Sequence, residues 1–595
     1  MIAKLIFFFI LMLSSNSFAQ HFKWHSHNDY QQNTPFWTAY NNGSNSIEID
    51  VFLKNNTLYV AHSESEIIEN RTLESLYLKP LIRALKLNIQ SSDKLQFLID
   101  IKSDSYKTLK RIVETLKKYP SLLQNKKFSF VISGNRPNPK DYGKYPDFIQ
   151  FDYQSLQKAK DVNWDKVALI SLDFKNYSNW NGKGRLTHSD KKSVLSVVKK
   201  AHSMGKPFRF WGAPDSKTAW KAFADLGIDF INTDKPYQAS KYLLSLPKNT
   251  AKTFVQSKVY KPLYNYNPSS KPKNIILLIG DGNGLTQISA AMLANGGELS
   301  ITQLQSIGLL KTASADDFTT DSAAAATAMA TGKSTNNRAI GVNTKGEAVK
   351  NLAEILQEKG FLTGIVTTDK ITGATPAAFY AHQGERDDTE NIKTDLVKSK
   401  LNLFMGGGKS DFSNTVLSSN FNIVSRLEDI SENPKSKIAY FFSEKEVPSM
   451  LEGRKNLLAR ATQEALNYMS SKGQPFFLLI ESSYIDYFGH FNIPKGITEE
   501  GIDFDRAISK ALKFADTNSE TLVVITADHE TGGFSIPQGD IKKGIVEGSF
   551  TTDDHTGGMI PIFCYGPQSN NFQGVYQNTE VFHKILESLN ISKKK

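Results

Sequence analysis

Cysteine is nearly absent from this sequence, whose 595 residues contain a single one, Cys564. An intramolecular disulfide is therefore excluded, and apolar cores or bound metal must hold the fold together. No cysteine lies directly after the first apolar run either, so we expect no N-terminal lipoprotein anchor.

Long apolar runs are equally scarce. The one near the start, Leu5–Leu13, spans about nine residues, which is too short to cross a bilayer. With Lys4 before it and Ser17-Phe18-Ala19 after it, residues 1–19 have the pattern of a secretory signal peptide. We expect an exported protein, periplasmic or secreted, without a stable membrane anchor.

Basic residues interleaved with aromatics on one face are also lacking, although the net charge is +11. Much of the positive charge is lysine scattered through helical patterns, which is typical of solvated surface and gives anionic substrates some electrostatic steering. We therefore expect no nucleic-acid binding.

The chain is too long for one domain, and its patterns change along its length. Residues 20–240 alternate short apolar runs with amphipathic lysine-rich segments, which predicts a TIM-type (β/α) barrel. Residues 241–271 are rich in proline, asparagine, serine and lysine and are predicted to be a linker. Residues 272–595 place helical patterns between buried strands such as Asn274–Gly280, which predicts a doubly wound α/β domain. The predicted fold class is α/β throughout.

In the second domain, metal-ligand side chains follow several predicted strands. Sites in open α/β sheets lie at the carboxyl ends of strands, so we expect these residues to meet at one edge. His490 follows Asp486 by four residues, which on a helical turn places both on one face. Each residue alone is ordinary near a turn, but the whole set is not: Asp281, Glu481, Asp486, His490, Asp528, His529 and His555.

A serine and an arginine complete this pattern. Asp321 is predicted to cap a helix whose first turn carries Ser322, where an alkoxide or a phosphoserine is stabilised. Arg386 can hold two phosphate oxygens through its planar guanidinium, and Thr375 can ligate a hard cation. Metals facing a serine nucleophile indicate phosphoryl-transfer chemistry.

These segments resemble the alkaline phosphatase family, and the run Asp321–Ala328 resembles its nucleophile signature. The resemblance implies two zinc ions, one magnesium ion, Ser322 as nucleophile and Arg386 as the phosphate-binding residue. One zinc would be held by Asp486, His490 and His555, and the other by Asp528, His529 and Asp281, while Asp281 also reaches magnesium together with Thr375 and Glu481. Two positions depart from the pattern. Gly373 stands where an acidic residue or histidine often precedes Ala-Thr-Pro, and Tyr487 stands where lysine, histidine or tryptophan is common.

The first domain carries a second candidate site. Glu48 and Asp50 lie two residues apart on one predicted strand and share a face, and Asp100 ends another strand. Such carboxylates attract a hard cation, Ca²⁺ or Mg²⁺, and His27 and His62 can act as general base and acid. The alternative is a half-buried edge strand with acids facing solvent.

Residues 21–240 resemble the phospholipase C-like phosphodiesterase barrels, which include the glycerophosphodiester phosphodiesterases. The resemblance implies His27 and His62 as acid–base residues, with Asn28, Glu48, Asp50 and Asp100 around the metal. The His-Arg-Gly opening of the glycerophosphodiesterases is absent, and the third acid is aspartate in place of glutamate.

The sequence thus predicts an exported bifunctional phosphoesterase whose partners are small-molecule phosphate esters. The first domain would cleave diesters, and the second would release inorganic phosphate from the resulting monoesters. The alternative is an alkaline phosphatase that carries a non-catalytic barrel binding lipid headgroups or a partner. A sulfatase is disfavoured, because no Cys or Ser followed by Pro and Arg forms the short motif it requires. The natural diester and the oligomeric state, a homodimer included, stay open.

Overall fold

The computed structural model describes residues 22–89, 94–412 and 414–591. It divides the chain into two compact units, Met1–Pro247 and Lys248–Lys595. The predicted signal peptide lies outside the described residues. No helix in the described ranges has the length and apolar character needed to cross a membrane.

The first unit alternates strands and helices along the chain. Its strands are β1 Trp24–Ser26, β2 Ser46–Lys54, β3 Thr57–Val60, β4 Leu95–Ile101, β5 Phe128–Gly134, β6 Ile149–Tyr153, β7 Val167–Asp173, β8 Phe208–Trp211 and β9 Ile231–Thr233. Its α-helices are α1 Trp37–Asn41, α2 Lys79–Lys86, α3 Ser105–Leu116, α4 Pro120–Gln124, α5 His188–Ser203, α6 Lys217–Asp225 and α7 Pro236–Asn249.

Eight of these strands form one parallel sheet in the order β8-β7-β6-β5-β4-β2-β1-β9, and β3 pairs with β2 as a side hairpin. A parallel bridge between Arg209 and Phe230 joins the two ends of this order. A parallel sheet whose ends meet is a TIM-type barrel, as predicted, and its inner face is filled by side chains such as Leu98, Val131 and Leu169.

The second unit has more strands. They are β10 Thr250–Lys252, β11 Asn274–Gly280, β12 Ser306–Lys311, β13 Leu362–Lys370, β14 Leu403–Gly407, β15 Asn422–Ile423, β16 Ile438–Phe441, β17 Phe476–Ser482, β18 Thr521–Ala527, β19 Glu530–Thr531, β20 Ser535–Asp540, β21 Ile545–Ser549, β22 His555–Thr556, β23 Ile560–Tyr565 and β24 Gly574–Gln577. The α-helices are α8 Leu285–Ala294, α9 Ser322–Thr331, α10 Leu352–Glu358, α11 Ala374–Ala377, α12 Thr389–Lys398, α13 Asn414–Ser418, α14 Leu457–Ser471, α15 Tyr484–His490, α16 Pro494–Asn518 and α17 Glu580–Ser588.

Ten strands form the main sheet in the order β15-β16-β14-β13-β17-β11-β18-β23-β12-β24. Its described pairs are parallel except for the two made by β23. Along β11, Ile276 and Leu278 pack into a core on one face, while Ile275 and Leu277 pack into a core on the other. Helices therefore cover both faces, which confirms the doubly wound prediction.

The segment predicted as a linker, 241–271, contributes to both units. Its first residues continue α7, where Leu243 and Leu246 pack into the barrel core despite Pro247 inside the helix. Further on, β10 pairs with β21, and Tyr264 packs against Tyr565. The polar residues that indicated a linker therefore accompany apolar residues that pack into the two units.

Candidate functional site

The central strands of the main sheet end side by side. Gly280 at the end of β11 pairs with Ser482 of β17 and Ala527 of β18. Asp281, Glu481 and Asp528 lie within one residue of these positions, and all three are buried. Strand register alone thus brings together three acids that are far apart in sequence.

The metal-ligand residues of the second unit form two groups. One contains Asp486, His490 and His555, and the other contains Asp281, Asp528 and His529. Within each group, one ligand atom from each residue lies within 4.8 Å of the others. This division matches the two zinc sets implied by the family resemblance.

Each histidine presents the same ring nitrogen to its group. His490 Nδ1 lies 2.7 Å from the carbonyl oxygen of Asp553, and His555 Nδ1 lies 2.9 Å from that of Thr320. A carbonyl only accepts hydrogen bonds, so both Nδ1 atoms carry a proton, and Nε2 is the nitrogen of each ring that is left to ligate a metal. Those two Nε2 atoms are 3.2 Å apart, a contact that a shared cation relieves.

Thr531 links the two groups, a role the sequence pattern did not indicate. Its hydroxyl donates a hydrogen bond to Asp486 of one group, so it accepts from His529 Nδ1 of the other, at 3.1 Å. Pairing of Thr531 with His555, through the short strands β19 and β22, brings the third histidine beside this hydroxyl. Thr531 is fully buried and fixes the orientation of a ligand in each group.

The charge of the site fits cations. Burial and the neighbouring carboxylates of Asp528, Asp486 and Glu481 raise the pKa of Asp281 well above its usual range. Asp281 Oδ1 and Asp528 Oδ2 are buried without a hydrogen bond. Buried carboxylates that repel one another, each with an oxygen that accepts no hydrogen bond, are compensated by bound metal, so the residues fit the implied ions.

The histidines of the first group respond to Asp486. Its carboxylate raises the pKa of His490 to about 9. Burial would lower the pKa of His555, but the same carboxylate raises it above its usual value. Burial would raise the pKa of Asp486, yet His490 and His555 hold it well below its usual range. These three side chains therefore stabilise one another's charge, and their ligand atoms lie within 4.8 Å of one another.

Ser322 lies beside the group that contains Asp281, Asp528 and His529. It is the first residue of α9, and the Asp321 carboxylate caps that helix by accepting from the backbone N–H of Ala324 at 2.9 Å. Ser322 Oγ lies 3.2 Å from His529 Nε2. The partial positive charge of the helix N-terminus therefore acts where an alkoxide or phosphoserine would form.

Arg386 reaches the same region. Its Nη1 donates to Asp321 Oδ2 at 3.1 Å, and its side chain is half-buried. The cap of α9 therefore also orients the guanidinium. One carboxylate sets the position of both the predicted nucleophile and the predicted phosphate-binding residue.

Of the remaining predicted ligands, Glu481 lies near the end of β17 and Thr375 lies in α11, the short helix that follows β13. Burial and the carboxylate of Asp369 raise the pKa of Glu481 to about 8, while the hydroxyls of Thr367 and Thr375 act in the opposite direction. Thr375 Oγ1 is buried and has no hydrogen bond of good geometry, although it is close enough to lower the pKa of Glu481. These oxygens suit a hard cation. Tyr487, the second departure from the family pattern, is 45% exposed.

In the first unit, the predicted acids meet as expected. Asp50 on β2 pairs with Asp100 on β4, and Glu48, Asp50 and Asp100 form a further group with ligand atoms within 4.8 Å of one another. Burial and the Glu48 carboxylate raise the pKa of Asp100 to about 6. Asp50 Oδ1 is buried without a hydrogen bond, which fits a cation.

The predicted acid–base histidines contact different members of this group. His27 Nε2 is 3.8 Å from Glu48 Oε1, and His62 Nδ1 is 3.1 Å from Asp50 Oδ2. Burial would lower the pKa of His27, but its hydrogen bond with Asp234 raises the pKa above its usual value. Asn28 joins the group through Tyr30, whose hydroxyl lies 2.9 Å from Asn28 Oδ1 and 2.8 Å from Asp50 Oδ2.

Three basic residues at this group were not predicted. Arg209 Nη1 donates to Glu48 at 2.8 Å, His25 Nε2 is 2.7 Å from the same oxygen, and Lys102 contacts Asp50 and Asp100 at 3.2 and 3.0 Å. Burial and Arg209 lower the pKa of His25 to about 3, so His25 is neutral. Arg209 is separated from His25 by 184 residues, and no local pattern links them.

Family models match three stretches of the chain. The model described as "Alkaline phosphatase" matches residues 272–422 and 422–546. An "AIM6-like phosphodiesterase domain" matches residues 16–92, and the "Glycerophosphoryl diester phosphodiesterase family" matches residues 207–237. The predicted fusion of two kinds of phosphoesterase domain is confirmed.

Individual relatives agree with the longest match. Alkaline phosphatase 3 of Bacillus subtilis is 30% identical over 410 residues, which cover 53% of this chain and 89% of the relative. The alkaline phosphatase of Escherichia coli is 28% identical over 411 residues, which cover 54% and 87%. In structure, the alkaline phosphatase of the Antarctic bacterium TAB5 is similar with a TM-score of 0.52 and 39% identity, covering 55% of this chain and all of that one. A single-residue variant of that enzyme was solved with Mg bound in its M3 site.

These similarities and the two sites make the chain a phosphoesterase hydrolase. Its second unit has the alkaline-phosphatase-like α/β fold, and its first unit is a phosphodiesterase-like barrel. The chain therefore belongs to the alkaline phosphatase family.

Proposed function

We propose that this protein is an exported bifunctional enzyme that releases inorganic phosphate from phosphodiesters in two steps. The barrel cleaves a diester to a monoester, and the phosphatase unit hydrolyses that monoester through a phosphoserine. The observation that carries the second step is the position of Ser322 Oγ, which lies at a helix N-terminus and 3.2 Å from Nε2 of the candidate ligand His529.

The phosphatase unit would hold two zinc ions and one magnesium ion. Asp486, His490 and His555 would hold one zinc ion, Asp528, His529 and Asp281 the other, and Asp281, Thr375 and Glu481 the magnesium ion. When bound, these ions would lower the pKa of the serine hydroxyl and of water and stabilise the departing alkoxide.

The protein's own residues carry out the steps. Ser322 Oγ forms a bond to phosphorus while the bond from phosphorus to the ester oxygen breaks, and the alcohol leaves with a proton. Water then attacks the phosphoserine, which returns the serine hydroxyl and inorganic phosphate. Arg386, oriented by Asp321, binds the non-bridging oxygens in both steps.

The barrel would use a hard cation, Ca²⁺ or Mg²⁺, held by Glu48, Asp50 and Asp100 with Asn28 nearby. When bound, this cation would neutralise charge on the phosphodiester. His27 and His62 would act as the acid–base pair, since each contacts a different carboxylate of the group. Lys102 and Arg209 add positive charge that favours an anionic substrate.

Ser322→Ala tests the phosphatase step. We expect the variant to lose monoester hydrolysis while its zinc content stays at the wild-type level, because Ser322 is the nucleophile and not a ligand. Ser289→Ala, a serine change in α8 where the hydroxyl bonds only its own helix, is the matched control. Wild-type turnover by Ser322→Ala would contradict the assignment.

Glu48→Ala tests the diesterase step. We expect it to reduce diester cleavage strongly and to leave monoester hydrolysis unchanged. Glu114→Ala, at an exposed site on α3, controls for the loss of an acid. If Glu48→Ala retains diester turnover, the phosphatase site performs both reactions.

A non-catalytic barrel is the second candidate, and one observation favours it. Arg209 already neutralises Glu48, and Lys102 neutralises Asp50 and Asp100, so protein cations occupy part of the acidic group. In that case, anionic lipid headgroups would bind without turnover. Diester assays of the full-length Ser322→Ala variant with Ca²⁺, Mg²⁺ or chelator distinguish the two, since in that variant only a catalytic barrel predicts metal-dependent product.

Export also belongs to this proposal. We expect processing after residue 19 and activity in the periplasm or medium, which N-terminal sequencing of the recovered protein and fractionation would test. We expect phosphate esters as partners, and a homodimer is checked by sedimentation.

A further inference from the structure

A carboxylate occupies the space that a side chain at position 373 would take. A Cβ atom built on Gly373 would lie 2.1 Å from Asp369 Oδ2 and 2.9 Å from Asp369 Cγ. Real Cβ atoms do not approach other atoms so closely, so only glycine tolerates Asp369 in this position. The carboxylate and the missing side chain are two halves of one arrangement.

Backbone conformation does not explain this glycine. Gly373 has φ −60° and ψ 160°, values that any residue adopts. It precedes α11, whose second residue is Thr375, a predicted ligand of the third metal position. The glycine therefore makes room for Asp369 beside that position.

A bulge in β13 delivers Asp369 to this place. Val366 pairs with Met405 of β14 and Lys370 pairs with Gly407, so four residues along β13 advance against two along β14. Bulges of this kind redirect side chains, and they are common beside active sites.

Hydrogen bonds hold the carboxylate in the orientation that the bulge provides. Asp369 Oδ1 accepts from the backbone N–H of Lys370 at 2.7 Å, which leaves Oδ2 directed at Gly373. The N–H of Asp369 donates to Thr367 Oγ1 at 2.8 Å, and that hydroxyl donates to Glu481. Asp369 and Glu481 are thus tied to the same threonine.

The surroundings of Asp369 call for a cation. Asp369 and the predicted ligand Glu481 meet at Thr367, so two carboxylates lie at this place. Thr375 Oγ1 and Asp281 Oδ1 belong to residues that are more than nine-tenths buried, and both atoms lack good hydrogen bonds.

We propose that Asp369 supplies a carboxylate to the third metal position, alongside Asp281, Thr375 and Glu481. This carboxylate occupies the space that a side chain at position 373 would otherwise fill. The inference rests on the proposed function, which supplies that metal position. Every donor is then an oxygen, which favours Mg²⁺ over zinc, because imidazole and thiolate are the ligands that suit zinc best. The departure from the family pattern at Gly373 is thereby compensated four residues earlier in the chain.

The test measures Mg²⁺ binding to the zinc-loaded full chain, by equilibrium dialysis with metal analysis and by the Mg²⁺ dependence of Tm. Asp369→Ala should weaken Mg²⁺ binding by roughly 10- to 100-fold while zinc content stays at the wild-type level. Asp369→Ala combined with Gly373→Asp should recover most of the affinity, because the carboxylate returns from the other backbone position. Glu390→Ala, which removes an exposed acid from α12, is the control.

Wild-type Mg²⁺ affinity in Asp369→Ala would overturn the inference, as would a double variant that binds no better than Asp369→Ala. If the alanine variant loses zinc, Asp369→Asn, which keeps the shape and removes the charge, takes its place with the same expected loss. A wild-type protein that binds zinc but no Mg²⁺ would instead refute the third metal position of the proposed function. The two failures are therefore distinguishable.

Discussion

Replacing Thr531 by valine tests how the protein orients its metal ligands. Valine keeps the branched shape but removes the hydroxyl that accepts from His529 and donates to Asp486. His529 is fully buried, so its Nδ1–H would be left without an acceptor. Such an unsatisfied buried donor costs about 1–3 kcal/mol.

The loss should appear as weaker metal binding. Residues that hydrogen-bond to metal ligands typically contribute roughly 10- to 100-fold to the metal affinity. This is about 1.4–2.7 kcal/mol at 1.36 kcal/mol per tenfold. Because Thr531 touches one ligand of each group, Thr531→Val should weaken both zinc sites. The cost of the unsatisfied donor, about 1–3 kcal/mol, and the expected loss of metal affinity, about 1.4–2.7 kcal/mol, are of the same size.

Zinc retained during dialysis against chelators of graded strength measures this effect, with Tm as a second readout. Thr531→Ser keeps the hydroxyl and should stay near wild type. Thr462→Val removes a buried hydroxyl that bonds only its own helix, so it controls for the substitution itself. Unchanged zinc affinity in Thr531→Val would refute the reasoning.

Three further predictions concern other parts of the chain. Gly134 has φ +67°, and a Cβ atom added there would lie 2.2 Å from Asp100 Oδ1 in the barrel's acidic group. Gly134→Ala should therefore lower diester cleavage and spare monoester hydrolysis. Gly184→Ala, at φ +62° with no atom near its added Cβ, controls for the backbone conformation in both assays. Arg454 is buried between two carboxylates, so Arg454→Met should cost about 3–5 kcal/mol in denaturant unfolding. His382 donates a hydrogen bond to the Glu354 carboxylate, which raises the pKa of His382, so this pair stabilises the fold below the ordinary histidine pKa and loses that contribution as pH rises through the raised value. Glu354→Gln should therefore lower the free energy of unfolding by less than about 1 kcal/mol at pH 6 and hardly change it at pH 9, as measured by denaturant unfolding at the two pH values.

Much of the fold follows from the sequence because buried parallel strands are continuous apolar runs. The strand predicted at Asn274–Gly280 has those bounds in the structure, and the helical turn predicted from Asp486 and His490 is α15. The linker prediction was less accurate, because composition does not reveal that Leu243 and Leu246 pack into the barrel.

The ligand residues were predictable and their partners were not. Ligand types at strand ends stand out in a sequence, whereas Thr531, Arg209 and Asp369 are ordinary until register places them. Asp369 depends on a bulge that the strand period of two does not reveal. Arg209 meets His25 because β8 and β1 belong to one barrel.

The central claim is that one chain converts a phosphodiester to inorganic phosphate in two steps at two sites. The most direct measurement is product analysis by phosphorus NMR, with Ser322→Ala acting on a panel of glycerophosphodiesters and nucleotide diesters. We expect a monoester to accumulate with no inorganic phosphate, and addition of wild-type protein to convert it. An unchanged diester across the panel, or phosphate released by the variant, would contradict the account.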